Sequence, residues 1–143
     1  MKKKVSILGS TGSIGLNSLK IFENKKRLFS IYLLSANKNF RLIAHQINKY
    51  KPRIFIINDY KTLIRVKKKF TNKKIRFYKN INECKHILNK IDITVAAIPG
   101  IDGLHPTIEL IKKSKKMLVA NKESIICGWN LIKKSAKKYN TKI

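Results

Sequence analysis

Lys4-Val5-Ser6-Ile7-Leu8 runs directly into Gly9-Ser10-Thr11-Gly12-Ser13-Ile14-Gly15, and helical spacing of apolar residues starts inside that glycine-containing segment. A short β-rich run that ends in a glycine turn and opens a helix narrows the possible folds sharply. Glycine is needed there because the backbone must reverse tightly and let other groups approach it closely. The first N–H groups of such a helix have no intrahelical partner and lie at the positive end of its dipole, so the turn suits an anion. The spacing is GxxGxxG, a variant of the GxGxxG dinucleotide fingerprint. Its weight comes from context: a first strand before it, a helix after it, and Ser and Thr side chains to bond phosphate.

The same alternation continues to the end of the chain. Strands are expected at Lys4–Leu8, Ser30–Ser35, Arg53–Ile57, Ile75–Tyr78, Ile93–Ile98 and Lys116–Val119. Helices are expected at Ser13–Lys25, with Ile14, Leu19, Ile21 and Phe22 as its apolar positions, then at Phe40–Tyr50, Tyr60–Phe70, Ile81–Asn89, Thr107–Ser114 and Gly128–Tyr139. Pro52 closes the second helix, because the residue before proline avoids the helical region. Ile93–Ile98 is apolar at every position but Thr94, as a parallel strand covered on both faces should be. Thr141–Ile143 reads as the start of a further strand. Strands alternating with helices imply right-handed crossovers and a parallel sheet. The expectation is a single α/β domain over residues 1–143, Rossmann-like and doubly wound, with a mainly parallel sheet.

Composition excludes several classes. Hydrophobic residues make up 43% of the 143, enough to bury a core. No apolar run approaches the roughly 18 residues of a membrane span, and Val5–Leu8 is too short for a signal-peptide core. The protein is read as cytoplasmic, which makes Cys84 and Cys127 free thiols. His45, His86 and His105 are too scattered for a structural zinc site. The net charge is +26, with 28 lysines among 33 cations. Lys, Ile and Asn are all heavily used, and all are encoded by A- and T-rich codons. Base composition is therefore favoured over a nucleic-acid surface as the source of the charge.

The second strand shows which dinucleotide the turn would take. NAD-binding domains usually place a carboxylate at this strand's end to hold the ribose 2′-hydroxyl. Here the sequence is Ala36-Asn37-Lys38-Asn39-Phe40-Arg41, with no acid and two cations to meet a 2′-phosphate. NADPH is expected over NADH.

Three segments together resemble one family. They are Gly9–Gly15, Ala96-Ala97-Ile98-Pro99-Gly100 with Gly103-Leu104 and Pro106-Thr107, and Ala120-Asn121-Lys122-Glu123-Ser124. Their order and separation are similar to those of 1-deoxy-D-xylulose 5-phosphate reductoisomerase, over essentially the whole chain. The resemblance implies that Gly9, Thr11, Gly12, Ser13 and Ile14 line the NADPH pyrophosphate, with Asn37, Lys38 and Asn39 at the adenosine end. Asn121 and Glu123 would also contact the cofactor, and Lys122 would reach the phosphosugar substrate. The family enzyme is a homodimer that rearranges 1-deoxy-D-xylulose 5-phosphate and reduces the product to 2-C-methyl-D-erythritol 4-phosphate with NADPH, in isoprenoid synthesis. It uses a divalent Mg or Mn ion held by an Asp-Ser-Glu cluster, which is expected beyond Ile143. On this reading the 143 residues are truncated before the catalytic domain, hold no catalytic or metal-binding residue, and are inactive alone.

Two departures from the family stand out. Asn37 replaces a usual glycine, which tightens the adenosine pocket, and Pro99 replaces an apolar residue, which stiffens its turn. Two other readings stay open. A different NADPH-dependent dehydrogenase, such as an aspartate-semialdehyde type, needs a cysteine nucleophile. Cys127 is its only candidate, and it is expected to be a small core residue. A basic remnant that binds nucleic acid ranks third, since Trp129 and the tyrosines form no stacking platform.

Overall fold

A computed structural model describes residues 1–143. The strands are β1 (Lys3–Leu8), β2 (Phe29–Ala36), β3 (Ile54–Ile57), β4 (Arg76–Tyr78), β5 (Ile91–Ala96) and β6 (Ser114–Val119). Between them lie α1 (Ser13–Asn24), α2 (Phe40–Tyr50), α3 (Tyr60–Lys69), α4 (Ile81–Cys84) and α5 (Leu104–Ile111), and α6 (Lys122–Tyr139) follows β6. Short 3-10 turns at Lys85–Ile87 and Ile101–Gly103 follow α4 and precede α5. The six strands form one sheet in the order β4-β3-β2-β1-β5-β6, and every pair is parallel. No helix is long and apolar enough to cross a membrane.

Strand order reverses at β1, which pairs with β2 on one side and β5 on the other. Right-handed crossovers therefore put successive helices on opposite faces to either side of that point. On one face, Leu19, Ile43, Ile47, Leu63 and Val66 pack on Val5, Ile7, Leu34 and Phe55. On the other, Ile81, Leu110, Ile111 and Ile132 pack on Leu8, Leu33, Ile54 and Ile91. Ile7, Leu33, Phe55 and Ile91 are fully buried. Each such side chain contributes about 1.5–3 kcal/mol of apolar burial.

Several boundaries differ from the sequence expectation, each for a local reason. α6 begins at Lys122 instead of Gly128, because Asn121 caps it and Glu123 sits favourably in its first turn. α5 begins at Leu104, with Pro106 inside its first turn, where a missing N–H costs nothing. α4 is one turn long, and the chain leaves helical geometry at Leu88, whose side chain is buried. In α1, Leu19 is buried, but Ile14 and Ile21 are 45% and 59% exposed, so the inward stripe is narrower than the apolar spacing implied. Beyond α6, Lys142 pairs with Lys116 of β6 in parallel, consistent with a further strand starting there.

Candidate functional site

The turn after β1 is built by close approach. Gly9 has φ +78°, and a Cβ there would lie 2.6 Å from the Ala97 carbonyl oxygen. A Cβ on Gly15 would come within 2.7 Å of Ser10 Cα, so α1 can start against the turn only with glycine there. Gly12 is different. Its φ is −77°, and a Cβ would meet nothing closer than Gly9 O at 3.6 Å. The protein itself does not demand glycine at this position.

Sequence reasoning missed the group that fastens this turn. The buried Gln46 of α2 donates through Nε2 to the Ser10 carbonyl at 2.9 Å and accepts from Ser10 Oγ at 2.7 Å. From β2, Ser35 accepts the Gly9 N–H on its hydroxyl at 3.0 Å and the Ser10 N–H on its carbonyl at 2.7 Å. The available signal was positional: Gln46 falls on the same stripe of α2 as buried Ile43 and Ile47. A polar residue on an inward stripe needs a partner inside.

Helix starts supply the electrostatics. α2, α3 and α6 are capped by the side chains of Asn39, Asp59 and Asn121, whereas Gly12 gives α1 no side-chain cap. The free N–H groups of α1 thus face outward at the turn, near the capped start of α6. Between and beside them a crevice crosses the C-terminal ends of the strands. One hollow of about 320 Å³ lies between Gly12–Ile14 and Asn121–Glu123. A smaller one of about 230 Å³ lies over Gly9, Thr11 and Asn37. The largest, about 560 Å³, extends past Asn37 and Asn58 to Asp102 and His105. All three share Ile98 and Pro99. The crevice lies where strand order reverses, the usual ligand position in open α/β sheets.

Nine of the expected site residues line the three hollows of this crevice, while Lys38 and Asn39 line none of them. Gly9, Thr11, Gly12, Ser13 and Ile14 line its middle, and Asn121, Lys122 and Glu123 line the end beneath β6. Asn37, Lys38 and Asn39 are exposed beyond β2, with Asn39 already committed to accepting the Leu42 N–H at 3.1 Å. Asp59 is the carboxylate that acts on this end. Hydrogen bonds from the Thr62 hydroxyl and N–H, at 2.7 and 2.9 Å, hold its carboxyl below the usual range, helped by the charge of Lys38. It is already occupied as the cap of α3. No three His, Cys, Asp or Glu side chains gather anywhere in the structure.

Both cysteines are free thiols, and one of them departs from its expected placement. Cys127 is exposed on α6, not in the core, because the buried positions of that helix are Ser124, Gly128, Ile132 and Ala136. Cys84 is the buried thiol, pushed up to about 11 by burial. Cys127 lines none of the three hollows, which removes the geometric basis for a cysteine nucleophile in this crevice.

Comparison with known proteins gives a single answer. The family profile of 1-deoxy-D-xylulose 5-phosphate reductoisomerase matches residues 5–128. The reductoisomerase of Pelagibacter ubique is 44% identical over 142 residues, covering 97% of this chain and 37% of that protein. That of Clostridium novyi is 37% identical over 145 residues, covering 99% and 38%. Among solved structures, the Zymomonas mobilis reductoisomerase in complex with NADPH superimposes with a TM-score of 0.90 at 26% identity, over 99% of this chain and 38% of that one. A reductoisomerase in complex with NADPH, fosmidomycin and magnesium gives 0.89 at 26% identity, over 97% and 35%. The chain thus spans less than two fifths of the length of these relatives.

Proposed function

Because the chain belongs to the 1-deoxy-D-xylulose 5-phosphate reductoisomerase family, we propose that it forms the NADPH-binding domain of an enzyme converting that substrate to 2-C-methyl-D-erythritol 4-phosphate. The observation that carries this reading is the start of α1. An uncapped helix N-terminus opens on a crevice beside Gly12, a glycine the protein's own packing does not require. A pyrophosphate approaching that backbone gives the glycine its reason, since any side chain would stand between phosphate and N–H groups.

In this reading Thr11, Gly12, Ser13 and Ile14 hold the pyrophosphate, while Asn37, Lys38 and Asn39 receive the phosphorylated ribose. The crevice then extends both ways, giving the adenine and nicotinamide halves separate hollows. NADPH, when bound, supplies the hydride, and the protein's part is to place it. Lys122 and Glu123 stand at the start of α6, on the nicotinamide side. Lys122 is exposed there and presents a cation to an oxygen-rich phosphosugar. Magnesium accompanies a solved relative, and in this reading its ligands are supplied by the rest of the full-length enzyme. The same reading makes the full-length enzyme a homodimer, which sedimentation at the mass of one subunit would contradict.

Titration calorimetry of the purified protein tests the cofactor assignment. NADPH is expected to bind at least about tenfold more tightly than NADH at moderate salt, the gain of one charge-assisted phosphate contact. Lys38→Glu should erase most of that difference. Equal affinities for the two cofactors in the unmodified protein would end the NADPH reading.

A further inference from the structure

Asn121 lies between two loops and belongs fully to neither. The residue is only 4% exposed. Its Oδ1 accepts the Ser124 N–H at 3.1 Å, which caps α6. Its Nδ2 donates to the Gly100 carbonyl at 2.8 Å and also to the Ile98 carbonyl. A carboxamide has two protons to donate, and both are spent inside the protein. One lone pair on Oδ1 is all that remains for any other group.

The segment it grips forms a wall of the crevice. Ile98 and Pro99 border all three hollows, and Gly100 turns there with φ +77°. The packing around the grip is close as well. A Cβ on Gly103 would lie 2.6 Å from the Ile98 carbonyl oxygen and would press on Asn121 Nδ2. Gly103 thus leaves room for the carboxamide to reach both carbonyls. Without those two protons the Ile98 carbonyl would lose its partner, and the Gly100 carbonyl would keep only the longer bond from the Gly103 N–H at 3.3 Å.

We propose that Asn121 is a positioning residue, whose carboxamide clamps the 98–100 turn to the start of α6 and so sets the width of the crevice. Its effect on cofactor then passes through the wall it holds and not through a side-chain contact of its own. This rests on the NADPH reading for the ligand, but the clamp itself is a property of the free protein.

Asn121→Asp and Asn121→Ser, made in the full-length protein, separate the possible roles. Both replacements cap a helix about as well as Asn, yet neither can donate two protons. The clamp predicts that both lower the thermal midpoint of the cofactor-free protein by about 4 °C or more. Amide exchange at 98–103 should quicken, and NADPH affinity should fall on the order of tenfold through the displaced wall. For Asn121→Asp the loss should ease on acidification, as the carboxyl gains a proton it can donate to one carbonyl. Lys122 and Glu123 share a hollow with Asn121, and Asp102 and His105 border the adjoining hollow along Ile98 and Pro99. All four are present in the unmodified protein, which serves as the baseline over the same pH range.

Unchanged midpoint and exchange with weakened NADPH binding would mean direct contact, and would overturn the clamp. Two variants matching the unmodified protein in every measurement would reduce Asn121 to a helix cap, which also overturns it. If the unmodified protein binds no NADPH, the functional reading fails, while midpoint and exchange still decide the clamp.

Discussion

Gly9 and Gly12 sit one turn apart, and a single methyl group tells them apart. At Gly9 it would lie 2.6 Å from a backbone oxygen, on a residue at φ +78°. Gly9→Ala should therefore cost roughly 2 kcal/mol or more, read from urea unfolding. At Gly12 the same methyl meets nothing closer than 3.6 Å, so Gly12→Ala should leave the unfolding midpoint nearly unchanged. Its cost should appear only in NADPH affinity, since the methyl would lie in the path of the pyrophosphate. A Gly12→Ala protein that binds NADPH normally would remove the main support for the assigned site. Glycine spacing in the sequence does not separate these roles, because it records where glycine stands but not whether protein or ligand needs it there.

At the scale of elements, what holds the site is harder to see than what lines it. The strand–turn–helix at residues 4–15 and the absence of acid after β2 are local patterns, and both could be read from sequence. The ties between Gln46 and Ser10 join residues 36 positions apart, and those between Asn121 and the 98–100 turn span 21 and 23. No local pattern reports such pairings. The start of α6 differs from the sequence expectation for a local reason: Lys122-Glu123-Ser124 has the polarity of a turn, and the bond from the Ser124 N–H to Asn121 makes it the first turn of the helix. Gln46→Leu should expose the importance of the first tie. It keeps the bulk but leaves the Ser10 hydroxyl and carbonyl buried without partners, at a cost of about 1–3 kcal/mol in chemical denaturation. A Gln46→Leu protein as stable as the unmodified one would show that the turn holds itself.

Over the whole molecule, charge is distributed by the ends of the elements. Lys67–Lys69 close α3, Lys137 and Lys138 close α6, and Lys2, Lys3, Arg53 and Arg76 stand at or before the starts of strands. These positions lie at the end of the sheet away from the crevice, and cations in a last helical turn favour its dipole. Few carboxylates offset them. Asp92 ties β1, β5 and β6 by accepting the Lys4 N–H at 2.8 Å and Lys115 Nζ at 2.7 Å. The hydrogen bond from Lys115 holds its carboxyl below the usual range, outweighing burial. Burial would raise Glu109, but the hydrogen bond and charge of Lys112, with Lys85, bring it down. A depressed carboxyl stabilises the fold above its unfolded value of about 3.9–4.3 and loses that stability as pH falls through its folded value. The unfolding free energy should therefore drop steeply on acidification below about pH 4, and Asp92→Asn should flatten part of that drop. An identical acid limb in the variant would assign the loss to general charge repulsion. The central place of β1 has a further consequence in time. Its β2 edge can pair once residue 36 has been made, whereas its other edge waits for β5, so Val5 meets Ile93 only after a loop of nearly ninety residues closes. Closing so long a loop makes folding slow, and until then β1 carries an open row of hydrogen-bonding groups that other chains can capture. For this molecule the hazard of misassembly belongs to the interval before the sheet closes, more than to the finished structure.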